Sequence, residues 1–402
     1  MVDLSVTTLS LKLGKTQPAN APAEVLGALR SIQVSHGTKA PSGFTLSFEA
    51  DRYPPVQGTM SDYALLDSGL LDPFVRVQVV VQLGLSLPEV LIDGYITRQE
   101  LSVDGNEKGT LTVTGEDMSV KMDLFERSVE YPTLKDSAIV QQILGKYSSL
   151  GITASVTAPS DDSAPTTVPQ QNSTDLKYLQ MLAARHSYVF YLRPGPLGQT
   201  SAYWGPPTTT GTPQKALTIN MAWADTMKSI SLTYNALAPT LTYGQSLNLT
   251  QSTPVTAAVA AGTATSLGLS TTPAIASAFS SLATTPDNYY NQLSTLAVRG
   301  SLLLNNGLTP TDAQNIAAAK TNRSIQNVLE ARGQVDTAKY GAILKAPGLV
   351  NVRGVGAKYD GTYTVNQVSH NLSVEQGEWS YTQSFALSRD GFGSTITAVT
   401  DF

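Results

Sequence analysis

One pattern constrains this chain more than any other: apolar and polar side chains alternate along much of its first 120 residues. Leu29-Arg30-Ser31-Ile32-Gln33-Val34, Phe44-Thr45-Leu46-Ser47-Phe48 and Val75-Arg76-Val77-Gln78-Val79 follow it, as do Glu89 to Arg98 and Thr110 to Thr114. A period of two sends successive side chains to opposite faces, which suits a strand and not a helix. Turn residues separate the runs, Asp104-Gly105 before the last of them. The pattern predicts an antiparallel sheet or small barrel, with each strand half core and half surface.

From Leu134 the period changes. Ile139, Val140, Ile143, Leu144 and Tyr147 share one helical face, with Asp136 or Ser137 as the N-cap and Gly151 as the stop. A polar loop over 158–171 separates this helix from a second, capped by Thr174 or Asp175, with Leu176, Leu179 and Leu182 on its apolar face. An aromatic strand, Tyr188-Val189-Phe190-Tyr191-Leu192, follows at once. Residues 215–236 return to strand patterning through Ile230, Leu232 and Tyr234. Thr309-Pro310-Thr311-Asp312 opens a helix running to about Arg332 and ended by Gly333. The tail is β again, over 349–355, 362–369 and 379–388.

Charge limits what such a fold can do. The 402 residues include 26 Lys+Arg and 31 Asp+Glu, 14% charged and −5 net, against about 25% charged in an average soluble domain. Net acidity argues against nucleic-acid binding, which needs a basic stripe to displace counterions. With no Cys, disulfides, thiolate nucleophiles and cysteine-ligated metal sites are excluded. No apolar run is long enough for a membrane anchor: the one over 75–87 is broken by Arg76, Gln78 and Gln82. The N-terminus has neither the basic nor the apolar region of an export signal. Much of the charge deficit lies in one place, the uncharged stretch Ser229 to Pro286. Its Thr, Ser and Ala content reads as linker, whereas Val255, Val259, Leu267, Leu269, Ile275, Phe279 and Leu282 read as an ordered, partner-facing segment.

Signals for catalysis are weak. His36, His186 and His370 fall in separate predicted units, none with a ligand at metal-binding spacing. There is no G-x-S-x-G elbow. Gly354-Val355-Gly356 and Gly361 lie between strands rather than before a helix, so they read as a turn and not a phosphate loop. Paired carboxylates would suit glycoside hydrolysis. Glu116-Asp117 and Asp161-Asp162 read instead as a strand end and a polar loop. Tyr188, Phe190, Tyr191, Tyr203 and Trp204 could form a glycan platform, but alternating aromatics are ordinary strand core. We therefore assign no catalytic, cofactor-binding or metal-binding residues.

Two stretches carry a family resemblance. Gln171-Asn172-Ser173-Thr174-Asp175-Leu176-Lys177-Tyr178-Leu179, continuing through Leu182-Ala183-Ala184-Arg185-His186-Ser187-Tyr188-Val189-Phe190-Tyr191, resembles a signature of the phage late control protein D family, with Ser187 where Gly is usual. The run Ala346-Pro347-Gly348-Leu349, Val352-Arg353-Gly354-Val355-Gly356, Tyr359-Asp360-Gly361-Thr362-Tyr363-Thr364-Val365 and Val368-Ser369-His370, closing at Trp379 to Phe385, is similar to that family's ending. Both motifs are structural, a capped helix and a turn between strands, and neither supplies a reacting group.

The resemblance implies a mainly β (α+β) fold. An N-terminal β-barrel-like hub domain would span 1–130 and a small α/β domain 131–214. A second β-barrel-like hub domain would span 215–402, interrupted by the uncharged insertion (about 237–308) and the helix (about 310–332). It further implies a non-enzymatic baseplate hub of a contractile phage tail or tail-like injection system, built like the hub half of type VI secretion spike proteins. The hub would be a homotrimeric ring joining a six-fold tail tube protein to a three-fold spike protein on a separate chain. It would contact other baseplate proteins and assemble in the bacterial host cytoplasm into the virion tail baseplate. The rival readings are a tail-associated cell-wall hydrolase and a glycan- or receptor-binding tail protein.

Overall fold

The computed structural model describes residues 7–38, 41–51, 63–104, 108–159, 168–195, 199–248, 253–257, 267, 299–303 and 310–393. Its backbone is mainly β, built around a sheet of 13 strands.

The first half of that sheet is formed by β1 (Thr7–Gly14), β2 (Ala19–Asn20), β3 (Leu29–Gly37), β4 (Gly43–Asp51), β5 (Arg76–Leu83), β6 (Glu89–Val103) and β7 (Lys108–Asp117), in the order β3-β4-β7-β6-β5-β1-β2. One apolar cluster takes Leu11 from β1, Ile32 and Val34 from β3, Phe48 from β4, Val79 from β5 and Val113 from β7. Strands five places apart in a flat sheet would be over 20 Å apart. A shared cluster therefore requires the sheet to curl around its own core. Val25 of the short helix α1 (Ala23–Ala28) plugs that core, and Leu65 and Leu66 of α2 (Ala64–Asp67) pack against it. The alternation of Val77, Val79 and Val81 makes one face of β5 apolar, as read from the sequence. Its other face is not solvent: Arg76 and Gln78 are buried as well.

The second half uses β14 (Met227–Tyr234), β18 (Leu329–Asp336), β21 (Glu378–Arg389) and β20 (Gly361–Glu375), in that order, with β19 (Gly348–Arg353) on β20 and β13 (Gln214–Thr218) on β19. Leu217, Leu329, Val335, Val350, Tyr363, Val368 and Phe385 form its core. The halves join where β20 pairs antiparallel with β3, from Gln367↔Gly37 to Ser373↔Ser31. Leu372 and Tyr381 cross this seam into the N-terminal core.

Between the halves, α3 (Asp136–Gly145) and α4 (Asp175–Arg185) pack with β9 (Ile152–Val156), β11 (Val189–Pro194) and β12 (Thr200–Gly205) around a third core. β8 (Glu126–Glu130) pairs with β10 (Gln170–Thr174). Ile139, Val140, Ile143 and Leu144 are buried on α3, and Leu176, Leu179 and Leu182 on α4, as the periodicity predicts. Thr174 is the α4 cap, its hydroxyl accepting from Lys177 N at 3.3 Å. The α3 cap is a correction: Lys135 holds that position, with no side-chain cap bond, and Asp136 is the first helical residue. Its carboxylate is engaged elsewhere, by Arg185 and His186.

Two further expectations change. The helix predicted to reach Arg332 is α5 (Pro310–Ile325), and residues 329–336 are the strand β18. Gly333 is not a helix stop. A Cβ there would lie 2.3 Å from Ser229 O and 2.6 Å from the Phe385 ring, so glycine allows close strand packing. Within the uncharged insertion, β15 (Thr240–Asn248), β16 (Thr253–Ala257) and β17 (Arg299–Leu303) form a separate three-stranded sheet docked on α5. Hydroxyls make that docking: Thr242 N donates to Thr321 Oγ1 at 3.1 Å and Thr240 N to Ser324 Oγ at 2.9 Å. Leu267 N donates to Asp390 of the same chain at 3.1 and 3.2 Å. Most of the insertion (249–252, 258–266, 268–298) lies outside the described residues, as does Gly105 of the Asp104-Gly105 turn.

The Gly354 turn provides a stability test. Gly354 has φ +88, and a Cβ would meet Ile219 O at 1.7 Å. Gly354→Ala is expected to cost at least about 2 kcal/mol in urea unfolding, from the combined steric and left-handed backbone penalties.

Candidate functional site

The histidines that sequence spacing kept apart meet in space. The β3–β20 register pairs His370 with Val34 and Val368 with His36, which makes the two histidines diagonal neighbours at the seam. Their rings are T-shaped with centroids 5.7 Å apart, and the Tyr381 hydroxyl is 2.9 Å from His370 Nδ1. Burial pushes His36 down to about 4, against the raising effect of its hydrogen bond to the Leu91 backbone. Burial, and then His36 itself, drives His370 well below the usual histidine range. Burial and then Glu89 raise Tyr381, and Glu89 itself pairs with Lys345 at 2.7 Å. Both imidazoles are therefore held neutral. No group of three or more His, Asp or Glu side chains able to hold a metal ion occurs among the described residues.

The third histidine has a carboxylate 50 positions away, too distant in sequence for any motif to reveal. His186 Nε2 lies 2.9 Å from Asp136 Oδ2, and Arg185 Nη1 donates to the same oxygen at 3.0 Å. Burial works to raise Asp136, but these two partners outweigh it and hold the carboxyl below its usual range. The arrangement ties the start of α3 to the end of α4.

Of the aromatic residues weighed as a glycan platform, Phe190 and Trp204 are core, Tyr188 packs against that core, and Tyr203 is half-buried. Trp204 is fully buried, its indole N–H donating to Leu179 O at 3.2 Å. Tyr188 packs edge-on against it at 4.9 Å, and Tyr191 stacks on Tyr203 at 5.0 Å. Arg193 crosses from this unit to Pro347 O at 3.2 Å.

Of the carboxylates weighed for hydrolysis, Asp117 has a structural role. Asp117 caps a 3-10 turn (Met118–Met122), accepting from Ser119 N at 2.9 Å and Ser42 N at 3.0 Å. Burial raises its carboxyl, and these donors counter part of that effect. Asp161-Asp162 lies outside the described residues. Gly354 and Gly356, both at positive φ, form the turn between β19 and β20, closed by Val355 N donating to Asp360 Oδ1 at 2.9 Å.

Two carboxylates unremarkable in sequence prove deeply buried. Asp93 accepts from Arg76 Nε and Nη2 at 2.7 and 2.6 Å and from Gln78 Nε2 at 2.7 Å. Asp175 accepts from Gln171 Nε2 at 2.7 Å and Tyr147 OH at 2.8 Å, with Arg127 Nε at 3.4 Å and Lys146 Nζ at 3.7 Å. Bidentate and multiply donated carboxylates of this kind are structural ties. A surface cleft of about 460 Å³ brings Glu24 and Glu49 to one lining with Tyr63 and Leu65. There Glu49 is claimed by Arg30, whose Nε donates to it at 2.8 Å.

Several large apolar side chains are exposed. Leu85 and Leu87 at the β5–β6 hairpin tip are 86% and 84% exposed, and Trp223 is 86% exposed. Their turns are hydrogen-bonded. Ser86 N donates to Leu83 O at 2.9 Å, and Met221 N to Asp225 Oδ1 at 2.6 Å. Ordered aromatic and aliphatic side chains projecting from fixed turns suit contact with other proteins. Sequence reasoning missed them; the usable signal was apolar residues inside turn-forming runs, Leu85-Ser86-Leu87-Pro88 and Asn220 to Asp225.

Comparison with solved structures gives this arrangement its context. The tail protein of Neisseria meningitidis MC58 superposes with a TM-score of 0.61 at 10% identity, covering 96% of this chain and 98% of that one. The 43 kDa tail protein of prophage MuSo2 from Shewanella oneidensis gives 0.59 at 15% identity, with 95% and 98% covered. The chain shares the fold of these tail proteins. A chain of the Francisella PdpA–VgrG complex matches at 0.56 and 9% identity over 99% of this chain and 60% of its own length. A family model described as the Alg8 N-terminal domain matches residues 57–200, less than half of the chain. That span crosses from the N-terminal core into the middle one and stops at the first residue of β12, so it coincides with no packing unit. No curated protein matches the chain.

Two measurements check the polar ties. His36 and His370 are depressed in the folded state, so the stabilisation they permit is complete above pH about 6.5. For His36 it is lost as pH falls through about 4, and His370 acts in the same direction, because the unfolded chain takes up protons that the folded chain refuses. Urea midpoints measured from pH 7 to pH 4 should fall by the equivalent of about 3 kcal/mol for His36 alone, and His36→Gln should flatten the profile. Asp175→Ala, which strips a buried charge from its donors, should cost about 3 kcal/mol in the same assay.

Proposed function

We propose that the chain is a structural hub of a contractile phage tail or tail-like injection particle. The observation carrying this reading is two-way coverage: phage tail proteins match nearly the whole of this chain over nearly the whole of their own length. A shared domain inside an otherwise different protein would not give that. The side chains support the same reading from the other direction. Buried carboxylates and histidines are committed to structural partners, while the exposed anchors are apolar.

In this reading the late control protein D family supplies the assembly. Three chains close into a ring, and the two barrel-like halves of each, about 1–130 and 215–402, raise the three-fold symmetry of the spike to the pseudo-six-fold symmetry of the tube. The unit over 131–214 buttresses the first half by taking Met118 and Met122 into its own core, with the Thr200 hydroxyl 3.5 Å from Met118 Sδ. The chain catalyses no reaction and needs no cofactor. It would assemble with tube, spike and other baseplate proteins in the host cytoplasm and remain in the particle's baseplate.

Native mass spectrometry of the purified chain, alone and with the neighbouring tube and spike proteins, is the test. A trimer that binds both is expected; a monomer indifferent to both overturns the reading. Incubation with peptidoglycan should release no soluble fragments. Release that disappears with Glu49→Gln would instead assign hydrolysis to the cleft beside α1.

A further inference from the structure

Phe74 adopts a backbone conformation that aromatic residues avoid. Its φ is +65, in the left-handed region where a side chain other than that of Gly, Asn or Asp is an outlier. Hydrogen bonds on both sides hold it there: Phe74 N donates to Ile96 O at 2.7 Å, and Val75 N to Asp72 O at 3.1 Å. Strain maintained in this way points to a purpose for the side chain. The ring does not pack into the core; it is 46% exposed.

What the ring does contact is a cation. Lys121 Nζ lies 4.6 Å from the Phe74 centroid and 4.4 Å from that of Tyr95, an ammonium between two aromatic faces. Lys121 sits on the 3-10 turn capped by Asp117, so its backbone is fixed as well. It forms no ion pair among the described residues. Asp123, its near neighbour in sequence, takes the Thr174 hydroxyl instead. Immediately beyond, Leu124 is exposed and Phe125 is 71% exposed. Four residues reach at most about 14 Å, so these exposed side chains lie within that distance of Lys121 along the chain.

We infer that the Phe74–Lys121–Phe125 patch is a docking site for a partner protein that presents a carboxylate between apolar side chains. Charge complementarity selects that occupant. A purely apolar partner would bury the Lys121 ammonium without a counter-charge, which is strongly unfavourable. A purely acidic one would leave Leu124 and Phe125 in water and forgo the apolar anchors. An acidic–apolar segment satisfies both, and the two rings already hold the ammonium in position, so little side-chain entropy is lost on binding. This inference goes beyond the hub reading and does not depend on ring stoichiometry.

The test is selection of random 12-residue peptides displayed against the immobilised full chain. Enriched sequences are expected to carry Asp or Glu flanked by Leu, Ile, Phe or Trp. They should bind Phe125→Ser and Lys121→Gln about ten-fold or more weakly, the scale of losing one anchor. Phe125→Ser should keep the parent's melting temperature, since that side chain is already in water. Phe74→Gly separates the roles: glycine accepts the turn's φ, so stability should hold while peptide binding is lost. Failure to enrich acidic–apolar peptides, or equal binding to all variants, overturns the inference. So does Phe125-dependent flotation with phosphatidylserine vesicles, which would assign the patch to a membrane surface. A monomeric parent in native mass spectrometry would sink the hub reading and leave this result standing.

Discussion

Everything in this molecule hangs on one ladder, the antiparallel pairing of β3 with β20. It joins residues 31–37 to residues 367–373, so nearly the whole chain must be laid down before it closes. Such a contact carries a large loop-closure cost, recovered only when local units are already folded. Each half therefore needs its own core, and each has one, around Phe48 and Val79 in the first and Tyr363 and Phe385 in the second. The ladder then makes two curled sheets into one continuous surface. It also explains why His36 and His370 are tolerated at the seam: His370 is buried, His36 is half-buried against it, and both are held neutral.

The buried polar clusters follow from the same architecture. The start of β5 is covered on both faces, by its own barrel core and by Met118 of the middle core, so its alternating pattern has no solvent side at Arg76 and Gln78, whereas Val80 and Gln82 are half-buried. Arg76 and Gln78 point where a simple alternation would put water, and Asp93 is there to satisfy them. Asp175 does the equivalent for the junction of α4 with β8 and β10. In each case a carboxylate accepts several donors where two layers meet, which fixes their orientation. The uncharged insertion uses a different chemistry for the same end, since Thr321 and Ser324 hydroxyls dock α5 on β15.

How far these features could be read from residues alone depended on range. The strands over 29–34, 44–48 and 110–114 were legible because local period decides which face is apolar. So were α3 and α4, whose stripes are complete. Thr174 was legible as a cap because its hydroxyl answers a donor three residues on. Gly333 was misread as a helix stop because glycine is ambiguous by itself: it ends helices and also admits close strands, and only Ser229 and Phe385 decide between them. Asp136 was misread as a cap because its partners, Arg185 and His186, lie about 50 residues on.

Sequence by itself determined the class of the fold, the order of its elements and the absence of cysteine chemistry, since these depend on periodicity and composition. Its scarcity of charge was visible there too. Only tertiary structure decided which polar groups are committed and which are available. The pairing of His36 with His370, the sealing of Asp93 and Asp175, and the isolation of Lys121 between Phe74 and Tyr95 all arise from contacts between segments remote in sequence. Local pattern sets each strand's two faces, but what covers a face is fixed only when another part of the chain arrives to meet it.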